Sequence, residues 1–162
     1  MKLEDLRRSV LLDGYQRPAY LRTYRGAVWT VATNGHALIA VRERLTDNLD
    51  GPLVRLRDLG PFERTPLVVE IDSLRAFLAI ERKPVETGDD AEPVRVAGAI
   101  LNRLLLGRLL KPLPSGPVKC RCEDSDFEGR SLRIDGPGFL VICMGMVWNR
   151  PRATFRGGRR AS

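Results

Sequence analysis

The stretch Val28-Trp29-Thr30-Val31-Ala32-Thr33-Asn34-Gly35-His36-Ala37-Leu38-Ile39-Ala40-Val41 constrains this chain more than any other. Its flanks are rich in β-branched and aromatic residues, and Asn34-Gly35 offers the two positive φ angles of a two-residue type I′ turn at little steric cost. The stretch therefore predicts a β-hairpin. A second stretch, Leu132-Arg133-Ile134-Asp135-Gly136-Pro137-Gly138-Phe139-Leu140-Val141-Ile142-Cys143-Met144, repeats the texture, with a turn dipeptide ahead of an apolar strand. Together they predict a chain built twice from one unit.

Other elements follow from spacing. Leu3, Leu6 and Val10 share a face of a short helix over 2–10, and the tyrosine-rich segment 18–24 reads as a strand that Arg25-Gly26 turns into the hairpin. Residues 43–66 read as a connection broken by prolines, with Leu53-Val54-Arg55-Leu56 as an edge strand. Leu67-Val68-Val69-Glu70-Ile71 reads as a better strand. Asp72 or Ser73 can cap a helix over 73–80 whose Leu74, Phe77 and Leu78 align. Residues 82–93 read as a solvated acidic loop.

Val94-Arg95-Val96 opens a second half. A helix from about Ala97 to Leu110 follows, with Ile100, Leu101, Leu104, Leu105 and Leu109 on one stripe, until Lys111-Pro112-Leu113-Pro114 stops it. Three strands follow, at about 117–122, 130–135 and 138–147. Residues 149–162 hold five arginines and no acid, the pattern of a flexible basic tail.

A length of 162 residues suits one domain, here residues 1–148 with the less regular region 43–93 inserted. The formal charge of +7 points to an anionic partner, nucleic acid being the usual one. The first residues are too charged for a signal peptide and no apolar run approaches the ~20 residues of a membrane span, so a cytoplasmic protein is expected. Cys120, Cys122 and Cys143 are an odd set, unlike a disulfide framework, and are expected to be reduced.

Catalytic chemistry finds little support. His36 is the single histidine, and its place after a tight turn suits backbone hydrogen bonding better than proton transfer. Cys120 and Cys122 form one ligand pair without a second, and on a strand they share a core face. No phosphate-cradling motif is present. Glu123-Asp124-Ser125-Asp126 lacks the glycine and terminal glutamate of a calcium loop and reads as a polar hairpin turn. The expectation is a protein that is not an enzyme, with no metal and no cofactor.

Ala32-Thr33-Asn34-Gly35-His36-Ala37-Leu38-Ile39-Ala40-Val41 resembles the Ala-Thr-Asp-Gly-His-Arg-Leu-Ala-Val segment of the bacterial DNA sliding clamp, the β subunit of DNA polymerase III. Phe139-Leu140-Val141-Ile142-Cys143-Met144-Gly145-Met146 is similar to that clamp's Tyr-Val-Val-Met-Pro-Met ending. The resemblance covers roughly residues 2–42 and 94–147. Ala37 stands for the family's arginine, and Gly145 for its proline.

The resemblance implies an α+β clamp-like domain, a duplicated unit of a helix and antiparallel strands with the helices on one face of the sheet. It implies binding of duplex DNA without sequence specificity, in replication or repair, with Arg7, Arg8, Arg17, Tyr20 and Arg22 as the DNA-binding residues. It also implies an apolar pocket for short peptides of polymerase or repair proteins, with candidates Leu21, Thr33, Gly35, His36, Leu38, Met144 and Met146. The family has three domains per chain and this chain has room for one. The two pocket segments are accordingly expected to meet between protomers packed head to tail, with six copies giving the six-domain ring. The alternative is a clamp-derived peptide-binding adaptor or regulator that does not encircle DNA.

Overall fold

The computed structural model describes residues 1–11, 18–51, 55–56, 59–79, 92–147 and 153–161. Helix α1 (Leu3–Ser9) leads into a three-strand meander of β1 (Tyr20–Tyr24), β2 (Ala27–Thr33) and β3 (Ala37–Val41). Strand β4 (Leu67–Glu70) and helix α2 (Ile71–Ala79) follow, then a hairpin of β5 (Pro93–Val96) and β6 (Ala99–Asn102). Helix α3 (Arg103–Leu110) opens a second meander of β7 (Pro117–Cys122), β8 (Leu132–Gly136) and β9 (Phe139–Cys143). Two short strands, β10 (Ala153–Thr154) and β11 (Arg159–Arg160), complete the order.

The arrangement of a helix followed by three antiparallel strands thus occurs twice. The main sheet runs β1-β2-β3-β9-β8-β7-β4-β11, so the two meanders meet through their last strands, with Ile39 opposite Val141 in antiparallel register. The fold is α+β with a mostly antiparallel sheet, the one parallel pairing among the described residues being β10 on β5 in a small second sheet.

Strand alternation sends one set of side chains to the helices and the other set away. Ile39, Val41, Val141, Ile134 and Val118 join Leu6, Leu74, Leu106 and Leu109 of the three helices in the larger core. On the opposite face Tyr20, Val31, Leu38, Ala40 and Leu140 pack with Leu56 in a smaller one.

Several expectations are corrected. The helix expected over 97–110 begins only at Arg103, because Ala97 and Gly98, with φ of 49° and 93°, turn β5 into β6. Asn102 then caps α3, its side chain accepting from the backbone N–H of Leu104 and Leu105. Leu104 is consequently exposed rather than core, and Leu106 and Leu110 take its place. Helix α2 starts at Ile71, ahead of both expected caps.

Within the region 43–93, β4 extends the main sheet beside β7. The tail, too, is built in where it is described: β10 pairs with β5, β11 pairs with β4, and Phe155 meets Phe77 edge to face at 5.4 Å. The expected loop at 82–93 and strand at 53–56 fall largely outside the described residues, as do residues 149–152 of the tail.

Cys120, Cys122 and Cys143 are free thiols buried in the larger core. Burial pushes Cys120 and Cys143 up to about 12 from the ordinary 9.0. Native protein at pH 8 should therefore resist iodoacetamide, and full labelling of these thiols should require denaturant. Raised thiols favour the folded state fully below the unfolded value of 9.0, and that contribution is lost as pH climbs toward 12. The denaturation midpoint should accordingly fall over this alkaline window, and less so in a Cys143→Ala variant; an unchanged slope in that variant would contradict the assignment.

Candidate functional site

The Asn34-Gly35 turn is not the two-residue type expected, because only Gly35 takes a positive φ, 88°. Asn34 supplies the missing closure with its side chain. Its Oδ1 accepts from the backbone N–H of His36 at 2.7 Å and of Ala37 at 2.8 Å, while its own N–H donates to the Ala37 carbonyl at 3.2 Å. The Thr33 hydroxyl donates to the same carbonyl at 2.7 Å and accepts from the Gly35 N–H at 3.2 Å. An Asx turn of this kind holds the loop in one shape and leaves the His36 imidazole exposed.

Beside this loop lies a cavity of about 500 Å³. Thr33, Gly35, His36 and Leu38 line one side, and Met144 lines the other with Ile142. Strand pairing brings them together: Ala37 stands opposite Cys143, and the Met144 N–H donates to the His36 carbonyl at 2.8 Å. The expectation that these segments meet only between protomers is therefore corrected, since one chain builds the whole cavity. Two buried donors in its wall, the Tyr20 hydroxyl and the Asn34 side-chain amide, have no hydrogen-bond partner among the described residues.

Two pocket candidates fall elsewhere. Leu21 follows Tyr20 on β1 and points to the opposite side, where it is buried. Met146 is carried away from the cavity, its N–H donating to the Ile100 carbonyl on β6 at 2.8 Å. In their places the structure puts Pro18, Tyr20, Leu59 and Ile142, which sequence reasoning did not assign to the pocket. Period-two alternation from Leu38 and Met144 could have pointed to Tyr20 and Ile142, but Leu59 sits in an irregular segment and carries no such signal.

The four DNA-binding candidates that are described do not share a surface. Tyr20 is fully buried in the smaller core and so cannot stack on or bond to a phosphate backbone, which corrects its assignment. Arg22 lies over the Tyr20 ring at 4.3 Å and donates to the carbonyls of Leu21, Leu49 and Gly51, away from the helices. Arg7 pairs with Glu4 at 3.1 Å on α1. Arg8 is exposed and lines a groove between α1 and α3 together with Arg108 and Lys111, which sequence reasoning missed because their neighbourhood depends on helix packing. Arg17 lies outside the described residues.

Among the described residues no helix is long and apolar enough to cross a membrane, and no group of three His, Cys, Asp or Glu stands where it could hold a metal ion. No protein-family model matches the chain, and no curated protein matches it.

Proposed function

We propose that this chain is a sliding-clamp-like module of DNA replication or repair, which receives a short peptide in the cavity beside Asn34 and holds duplex DNA against its helices. The observation that carries the reading is the meeting of Thr33–Leu38 with Met144 in one apolar cavity. These are the two segments whose family counterparts line a peptide pocket. Methionine suits such a wall because its flexible thioether adapts to varied ligands.

On the helical side, Arg8, Arg108 and Lys111 are exposed along one groove, with Asp5 the single carboxylate among the described residues of its lining. Such a surface suits phosphates and carries no means of reading base edges, so binding should be independent of sequence. Each phosphate neutralised steepens the fall of log affinity with log salt by about 0.9. Titration of labelled random duplex at low and high salt should show a slope that an Arg8→Glu/Arg108→Glu variant flattens. Undetectable binding at low salt, or equal binding at ~0.5 M salt, would defeat the DNA half of the reading.

For the peptide half, short peptides selected from a displayed library on the immobilised protein should lose binding to Met144→Glu, an exposed position where folding is not at stake. Selected peptides indifferent to that change would place their site elsewhere. The second reading is a peptide-binding adaptor without DNA function, favoured by the dispersal of Arg7, Tyr20 and Arg22 over different surroundings. Encirclement of DNA would take a ring of copies. Mass in solution with and without DNA tests it, and a strict monomer at high concentration leaves the adaptor.

A further inference from the structure

The sheet face turned away from the helices carries a second groove, of about 650 Å³, at its β7–β8 end. Lys119 and Arg121 of β7 and Arg133 of β8 reach it by strand alternation, Arg25 and Arg42 flank β2 and β3, and Arg64 comes from the segment crossing the face. Among the described residues these six cations face two carboxylates, Glu63 and Asp135. Arg121 and Arg133 stand directly opposite each other in the sheet, an arrangement that is ordinarily unfavourable.

Asp135 bridges them, accepting from Arg121 at 3.1 Å and from Arg133 Nη2 at 2.8 Å, but one carboxylate cannot neutralise two guanidinium groups. Glu63 is already held by Arg160 at 3.1 Å. Among the described residues Arg25, Arg42, Arg64 and Lys119 have no ion-pair partner.

Aromatic rings are interleaved with this charge. Tyr24 and Trp29 meet edge to face at 6.0 Å, with the indole N–H donating to the Tyr24 carbonyl, so both rings are held in fixed orientations. Arg25 lies over Tyr24 at 5.1 Å and Arg133 over Phe62 at 5.7 Å. All three rings line the groove and are only partly buried.

We propose that this groove binds single-stranded nucleic acid, its bases against Trp29, Tyr24 and Phe62 and its phosphates along Arg42, Arg64 and Lys119. Partly exposed rings beside a cationic track suit a single strand, because stacking needs a base that is free of its complement. Duplex hides its base faces and gains nothing from the rings. An acidic peptide would use the cations and leave the aromatic surface idle.

The test is anisotropy with a labelled oligothymidylate of about 12 nucleotides, within the ~4–16 nucleotides such sites cover. Arg64→Glu/Lys119→Glu, at two exposed positions, should weaken oligonucleotide binding at least tenfold and leave random-duplex binding unchanged. Trp29→Ala should weaken it by about fivefold to a hundredfold, the range expected for one lost stacking partner. The helix-groove variant Arg8→Glu/Arg108→Glu should keep it. If the Arg64→Glu/Lys119→Glu protein binds the oligonucleotide as well as wild type, or if only the helix-groove variant loses it, the groove is not the site. If polyglutamate competes as effectively as oligothymidylate at equal charge, the groove serves acidic peptides and the proposal falls.

Discussion

Replacing Gly145 with proline, the residue the clamp ending carries at this place, is expected to unseat the segment after β9 rather than stiffen it. A Cβ built at Gly145 would stand 2.0 Å from the Arg130 carbonyl oxygen and 2.7 Å from the carbonyl carbons of Arg130 and Gly129. Those atoms are backbone and cannot swing aside as a side-chain tip would. Overpacking ordinarily costs about 1–3 kcal/mol, and with backbone as the obstacle the upper end or beyond is expected.

Even Gly145→Ala should show most of this loss in urea denaturation. Gly107→Ala offers the contrast, since nothing lies within 4 Å of a Cβ there. Inside α3 that change should stabilise by about 0.5–1 kcal/mol through helix propensity. A Gly145→Ala protein as stable as wild type would mean that the chain does not pass Arg130 this closely. Glycine at this position thus has a physical reason in this chain, and the peptide binding proposed above should weaken in parallel because Met144 is the adjacent residue.

The second large effect is in the helical core. Leu106→Ala should cost about 2–5 kcal/mol, as fully buried leucines do, since Leu106 has no exposed surface. Leu104→Ala, two residues earlier and 41% exposed, should stay within about 0.5 kcal/mol. Equal losses at the two positions would mean that α3 is rotated about its axis from the orientation described here.

That pair also shows what could and could not be read ahead of the structure. Strands β1–β3 and β7–β9 were legible because runs of apolar, β-branched and aromatic residues stood between turn signals. The start of α3 was not, because Ile100-Leu101 fits a helical stripe and a strand equally well. The deciding signals were small: Ala97 in a positive-φ turn that its residue type disfavours, and Asn102 as a cap.

At Asn34 the dipeptide was read for its backbone preference, whereas the side chain's bonds to His36 and Ala37 decided the turn. Four of the cavity residues, Thr33, Gly35, His36 and Leu38, were reachable through the resemblance, together with Met144. Their meeting within one chain was not, because it depends on β3 and β9 being neighbours. The cationic groove left a faint trace in the alternation of Lys119 with Arg121 and of Arg133 with Asp135. Which rings and cations face them is a matter of sheet register, and no local pattern reveals it.

The seam between β3 and β9 has a consequence for how the molecule comes to be made. Val41 pairs with Phe139, so the middle of the sheet joins residues far apart in the chain. Sheets dominated by such distant pairings fold slowly, since the closing of a long loop must precede the contacts that reward it. During synthesis the first meander emerges with the inner edge of β3 open, and β9, the strand that covers this edge in the folded sheet, comes out only much later. Until then the nascent protein presents an apolar strand edge of the kind that pairs with other chains. Association during refolding should therefore be suppressed by adding residues 132–147 as a separate peptide, which would occupy the seam ahead of the chain's own strand.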